Sequence, residues 1–69
     1  MKIQLQLRHI QTGHTWLGEN VESTQEEFDE LDAAIKTSIS ALTYLELNGD
    51  IIPGDFIRQH CSLRFIKTE

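Results

Sequence analysis

The sequence predicts an α+β domain in which one amphipathic helix packs on a small antiparallel sheet of four to five strands, in the order ββαβββ. Three observations predict this architecture. Residues 2–8 alternate strictly between polar and apolar types, which is typical of a strand with one buried face. Apolar side chains recur every three or four positions between Ser23 and Leu42, as they do along one face of a helix. Asn48-Gly49 is a strong hairpin signal, because both residues tolerate a positive φ.

The central helix has a clear start and a weaker end. Ser23 and Thr24 are each followed three residues later by a glutamate, so either residue can open a capping box. Thr37 and Ser38 are poor helix formers, and we therefore expect the helix to end between Ser38 and Leu42. The buried stripe comprises Phe28, Leu31, Ile35, Ile39 and Leu42.

The strands before the helix form one hairpin in this interpretation. Thr12-Gly13 is a turn signal, and it predicts that residues 2–10 pair with residues 14–18. Residues 18–20 then read as a loop that leads into the helix cap.

The strands after the helix are shorter. Residues 43–47 and 50–52 flank the Asn48-Gly49 turn, and Pro53 interrupts the second of them because proline lacks a backbone N–H. Residues 55–58 are compatible with a resumed strand or with a single helical turn. Residues 61–67 alternate again and form the last strand.

The net charge of −5 comes from one segment of the chain. Residues 1–18 contribute +2, residues 19–32 contribute −7, and residues 33–69 are neutral. Acids in the first turn of a helix are stabilised by its dipole, but acids beyond that turn repel each other at spacings of three and four. The acidic helix face is therefore either simply solvated or the surface that meets a basic protein, and the second interpretation assigns the contact to Glu22, Glu26, Asp29, Glu30 and Asp32.

Length and composition limit the remaining choices. The 69 residues make a single domain, residues 1–69, with a marginal core, and its only cysteine leaves no disulfide to reinforce it. We therefore expect a homodimer. The acidic balance argues against direct nucleic-acid binding. The start of the chain lacks a signal-peptide pattern, and no apolar run approaches a membrane span, so we expect a cytoplasmic protein.

No residues form a recognisable catalytic, metal or cofactor motif. His9, His14, His60 and Cys61 match no zinc-site spacing, and we expect surface histidines and a cysteine that fills the core. Trp16 is expected to fill the core as well, whereas Phe56 and Ile57 are candidates for an exposed apolar anchor. The sequence predicts no catalytic residue, no metal site and no cofactor.

The favoured function is that of a non-enzymatic protein-binding module, such as a small phage-type inhibitor that acts in the host cytoplasm and blocks a basic, nucleic-acid-handling partner. The alternative is a homo-oligomer that binds a small anionic ligand, such as a nucleotide, between subunits through Arg8, Arg58 and Arg64. A third possibility is an assembly part that pairs through an exposed sheet edge near Pro53.

Overall fold

A computed structural model describes all residues, 1–69, and shows an α+β fold with five strands and two helices. The predicted order ββαβββ omits the shorter helix, since the observed order is ββαββαβ. A 3₁₀ turn, Ile39–Ala41, follows the first helix. The elements are β1 Lys2–His9, β2 Thr15–Glu22, α1 Gln25–Ser38, β3 Tyr44–Leu47, β4 Asp50–Pro53, α2 Gly54–His60 and β5 Cys61–Lys67.

The strands form two antiparallel sheets instead of the single sheet that the sequence predicts. The first sheet has the order β2-β1-β5, with β1 in the centre, and the second consists of β3 and β4 alone. Ile3, Leu5 and Leu7 of β1 share the inner face, where Ile3 and Leu7 are fully buried. The β3–β4 turn has the positive φ values expected for Asn48 and Gly49, 53° and 84°.

The first hairpin differs from the prediction in both register and length. A two-residue turn at Thr12-Gly13 would pair His9 with Trp16, but Leu7 pairs with Trp16, so a longer connection joins β1 to β2. Gly18, predicted in a loop, lies in β2 at a bulge opposite Leu5. The prediction failed here because residues 18–22 are mostly polar and lack an apolar alternation. Pairing with β1 makes them a strand.

Helix α1 begins and ends as the sequence predicts. Thr24 is the cap: its Oγ1 accepts a hydrogen bond from the Glu27 backbone N at 3.1 Å. The Glu27 Oε1 accepts one from the Thr24 backbone N at 3.0 Å, which completes the capping box. The helix lies over the inner side of the first sheet, but none of its residues is fully buried.

The segment 55–58 is helical and belongs to α2. Its sequence was compatible with either a resumed strand or a single helical turn. The Gly54 backbone N donates to the Thr43 carbonyl at 2.8 Å, so the chain turns tightly just after Pro53. Ile57 is completely buried and Phe56 is half-buried. Their prediction as an exposed apolar anchor was therefore wrong, because it assumed that the segment is extended.

The core is small and lies on one side of the first sheet. Leu7, Leu47, Ile52 and Ile57 form its buried cluster, with Trp16 packed against them as a half-buried member. Only seven of the 69 residues are buried, so the chain has little apolar burial to lose. Both helices and the β3–β4 hairpin pack on this inner side, which leaves the outer face of the first sheet uncovered.

We expect Gly54→Ala to destabilise the protein by about 3 kcal/mol, because the new Cβ would overlap the Leu42 carbonyl oxygen and force backbone movement. Gly49→Ala is the matched control. No atom lies within 4 Å of its Cβ position, so only the left-handed backbone costs energy, about 1–2 kcal/mol. Urea unfolding followed by circular dichroism measures both, and equal losses would contradict this account.

We expect the stability contributed by the capping box to fall in acid. The hydrogen bonds from the Thr24 backbone and side chain hold the pKa of Glu27 below its usual range. A carboxyl with a lowered folded-state pKa stabilises the fold above its unfolded pKa, and loses this effect as the pH falls through the folded value.

The comparison that isolates this effect is wild type against Glu27→Gln, because all other carboxyls titrate in both proteins. The wild type is expected to melt at the higher temperature at neutral pH, and the difference is expected to shrink as the pH falls through the lowered pKa of Glu27. A melting difference that stays constant across this range would show that the charge of Glu27 plays no part.

Candidate functional site

Four of the predicted acidic residues share α1, and with Glu22, which lies across the strands from Lys2, we call the set the acidic ridge. It comprises Glu22, Glu26, Asp29, Glu30 and Asp32. Glu22 ends β2, and the others lie on the first half of α1. The half-buried Phe28 and Ile35 face the sheet, so the ridge lies on the side of the helix that points away from the core. Asp32 is half-buried at its margin, and the other four are exposed.

Cations neutralise the two ends of the ridge and leave its middle charged. The Lys36 ammonium pairs with Asp32 at 3.0 Å, and the Met1 amino group lies 3.7 Å from Glu22. Glu26, Asp29 and Glu30 take part in no ion pair, although Asp29 accepts a hydrogen bond from the Gln25 amide at 2.9 Å.

Two further lysines flank the ridge: Lys2 lies across the strands from Glu22, and Lys67 lies beside α1. The Lys67 ammonium lies 5.1 Å from the centre of the Phe28 ring and donates to the Gln25 side-chain oxygen at 2.9 Å. It packs along the flank of α1 without pairing with an acid of the ridge.

The unpaired middle of the ridge works against the helix that carries it. Glu26 and Glu30 are one turn apart, and like charges at this spacing cost about 0.2–0.5 kcal/mol. The exposed Asp32–Lys36 pair returns only a similar amount. Glu26 lies in the first turn, where the helix dipole stabilises an acid, but Asp29 and Glu30 lie beyond it and their charge has no local structural use.

The uncovered side of the first sheet carries positive charge, and we call it the basic sheet face. The alternation of β1 places Lys2 and Arg8 there, and β5 adds Arg64, which lies opposite Gln6. Arg64 donates from Nε to the Gln6 side-chain oxygen at 3.3 Å. Arg8 and Arg64, with Gln6, Ile10 and Ser62, line a shallow depression of about 290 Å³.

Arg58 lies apart from the other two arginines. It is on α2, at the inner side of the first sheet, and its guanidinium pairs with Asp55. It also donates to the carbonyls of Ile39 and Leu42 at 3.0 and 2.7 Å, where the 3₁₀ turn ends. Within one chain, Arg58 therefore does not share a surface with Arg8 and Arg64, the other two arginines of the predicted anion site. Its hydrogen bonds hold α2 against the 3₁₀ turn.

The histidines contact aromatic rings, and the cysteine packs against the core. His9 stacks on Phe56 with 5.2 Å between ring centres, and His14 meets Trp16 edge-on at 4.4 Å. The chain has no group of three or more His, Cys, Asp or Glu side chains able to hold a metal ion. Burial raises the pKa of the Cys61 thiol, so the thiol is protonated at neutral pH and is a weak nucleophile.

A second exposed feature lies on the β3–β4 hairpin. Tyr44 and Ile51 are on its outer face and are 57% and 67% exposed. Leu45 and Ile52 alternate with them and face the core. The alternation along residues 43–47 could have predicted which face Tyr44 occupies, but it carries no signal for what covers that face.

The exposed helical acids of the ridge and the two arginines of the basic sheet face thus lie on opposite sides of a small α+β domain. Comparison with known protein families, curated proteins and solved structures finds no match. Neither helix is long and apolar enough to cross a membrane.

We expect Arg58→Met to destabilise the protein by about 1.5–3 kcal/mol, because two carbonyl groups lose their charged donor. Arg8→Met and Arg64→Met are the matched controls, and both are expected to stay within about 0.5 kcal/mol of wild type. Chemical unfolding of the three variants makes the comparison. An equal loss in all three would mean that Arg58 has no special structural role.

Proposed function

We propose that this chain is a non-enzymatic protein-binding module whose acidic ridge docks on a basic protein surface. The partner best suited to the ridge is a nucleic-acid-handling protein with a cationic groove for phosphates. By occupying that groove the chain would exclude nucleic acid, as a small phage-type inhibitor acting in the host cytoplasm does.

The observation that carries this proposal is the uncompensated charge of Glu26, Asp29 and Glu30. All three are exposed, none has a cation within ion-pairing distance, and their mutual repulsion costs stability. Charge of one sign gathered on a convex helix speeds association with a surface of the opposite sign and fixes its orientation.

The side chains with catalytic potential support a binding role over an enzymatic one. Cys61, the only thiol, has a raised pKa and lies within a strand against the core. The His9 and His14 rings are packed on aromatic neighbours. His9 lies across the strands from Cys61, but the raised pKa of the thiol shows no activation of this cysteine as a nucleophile.

A second candidate function is the binding of a small anion between subunits. The observation that favours it is the shallow depression lined by Arg8, Arg64 and Ser62, which offer two positive charges and a hydroxyl to an anion. No aromatic ring lines this depression, so phosphate or carboxylate groups suit it better than a nucleobase does.

The proposed function predicts that the charge double variant D29K/E30K loses its partner and keeps its fold. The immobilised wild-type chain is expected to retain a basic protein from a lysate of its source cells, with binding weakened as salt is raised. Reversal of both acids replaces attraction by repulsion, and retention is expected to fall at least about 100-fold. Quantitative mass spectrometry of the captured fractions measures it.

The matched control is E46K/E69K, which changes the net charge by the same amount at two exposed acids outside the ridge. This variant is expected to retain the partner. If both double variants lose the partner equally, net charge alone governs binding. If D29K/E30K keeps it, the ridge is not the binding surface.

A further inference from the structure

We propose that the basic sheet face is a docking surface, and that its occupant is the acidic ridge of a second copy of this chain. The contact is head to tail, since one copy contributes its sheet and the other its helix. This inference shares the ridge with the proposed function but does not require an outside partner.

The basic sheet face is uncovered, and its two arginines form no ion pair. Both helices and the β3–β4 hairpin lie on the inner side of the sheet, while Arg64 contacts Gln6 and the Arg8 guanidinium reaches toward the turn at Gly13. The three ion pairs of the molecule involve neither arginine. Arg8 pairs across the strands with Ser62 and Gln6 with Arg64, so the two like charges are diagonal neighbours without an acid between them.

The spacing of the charges on the two surfaces is similar. Side chains four residues apart on a helix, such as Glu26 and Glu30, have Cβ atoms about 5–6 Å apart. Diagonal neighbours on adjacent strands, such as Arg8 and Arg64, lie about 7–8 Å apart. Because arginine side chains are long and adaptable, both guanidinium groups can reach successive carboxylates and bond them through paired N–H donors.

Docking would also cover apolar surface at the margin of the sheet. Ile10, which lines the depression beside Arg8 and Arg64, is 66% exposed, and Leu17, opposite Gln6, is 37% exposed. A helix is about 10–12 Å wide with its side chains, and three strands span a comparable width. One helix can therefore lie across the whole face and shield both residues.

A head-to-tail contact leaves one ridge and one sheet face unused at the two ends of each assembly. Association therefore continues beyond a dimer into chains or rings as the concentration rises. A basic partner bound to the ridge competes with the sheet face of another copy for the same carboxylates. No further copy can then add at that ridge.

The test combines two charge-reversed variants, D29K/E30K for the ridge and R8E/R64E for the sheet. Wild type is expected to sediment above its monomer mass of 7.9 kDa at about 10 mM ionic strength and as a monomer at about 1 M, where the screening length falls to about 3 Å. Each variant alone is expected to self-associate at least about 100-fold more weakly. An equal mixture is expected to associate again, because the ridge of one meets the unaltered sheet of the other.

Three outcomes would overturn the inference. In the first, wild type remains a monomer at both ionic strengths. In the second, the two charge-reversed variants sediment with the same mass as wild type. In the third, the mixture fails to associate although circular dichroism shows that both variants are folded. Inorganic pyrophosphate that raises the melting temperature of a monomeric wild type, but not of R8E/R64E, would assign the face to a small anion instead. E46K/E69K serves as the control and is expected to associate like wild type.

The same variants separate this inference from the proposed function. R8E/R64E keeps the whole ridge, so it is expected to capture the basic partner even though its self-association is lost. Loss of partner capture in R8E/R64E would show that the sheet face, and not the ridge, carries the proposed function. If wild type captures the basic partner but does not self-associate, the proposed function is supported. A second copy is then rejected as the occupant of the basic sheet face.

Discussion

The pairing of β1 with a strand on each side is the constraint on which the rest of the molecule depends. It fixes Ile3 and Leu7 on the inner face, where both are completely buried. With so few buried residues, every other element must pack against that face to reach the core. The opposite face remains a single exposed layer, and the side of α1 remote from the sheet remains free to carry charge.

Local signals in the sequence predicted the parts of the fold that local interactions determine. The alternation of β1, the Thr24–Glu27 capping box and the Asn48-Gly49 turn each depend on residues close together in the chain, and all three are confirmed. The second half of β2 and the helix α2 depend on distant partners instead. Gly18 enters β2 through its place opposite Leu5, and α2 forms where Arg58 and Gly54 reach residues 39–43. No short-range pattern encodes these contacts.

In the candidate site, too, local signals predict one part and distant contacts determine the other. The acidic ridge follows from helical spacing and from the charge of one segment, so the sequence suffices to place it. The roles of the arginines do not follow in this way. Arg8 and Arg64 become neighbours only through the antiparallel register of β1 and β5. Arg58 lies away from them because it belongs to α2, a segment whose sequence was compatible with a strand or a helical turn. What the ridge binds stays a prediction, because a solvated face and a docking face have the same composition.

The separation of opposite charges across the sheet gives the molecule a permanent dipole moment in addition to its net charge. The chain measures 30 × 22 × 21 Å, with Glu26 and Glu30 on the helix side and Arg8 and Arg64 on the outer side of the sheet. In physiological salt the screening length is about 8 Å, so a cation that approaches the helix side does not sense the guanidinium groups behind the sheet. Only in dilute buffer does the whole molecule rotate as one dipole toward a charged neighbour.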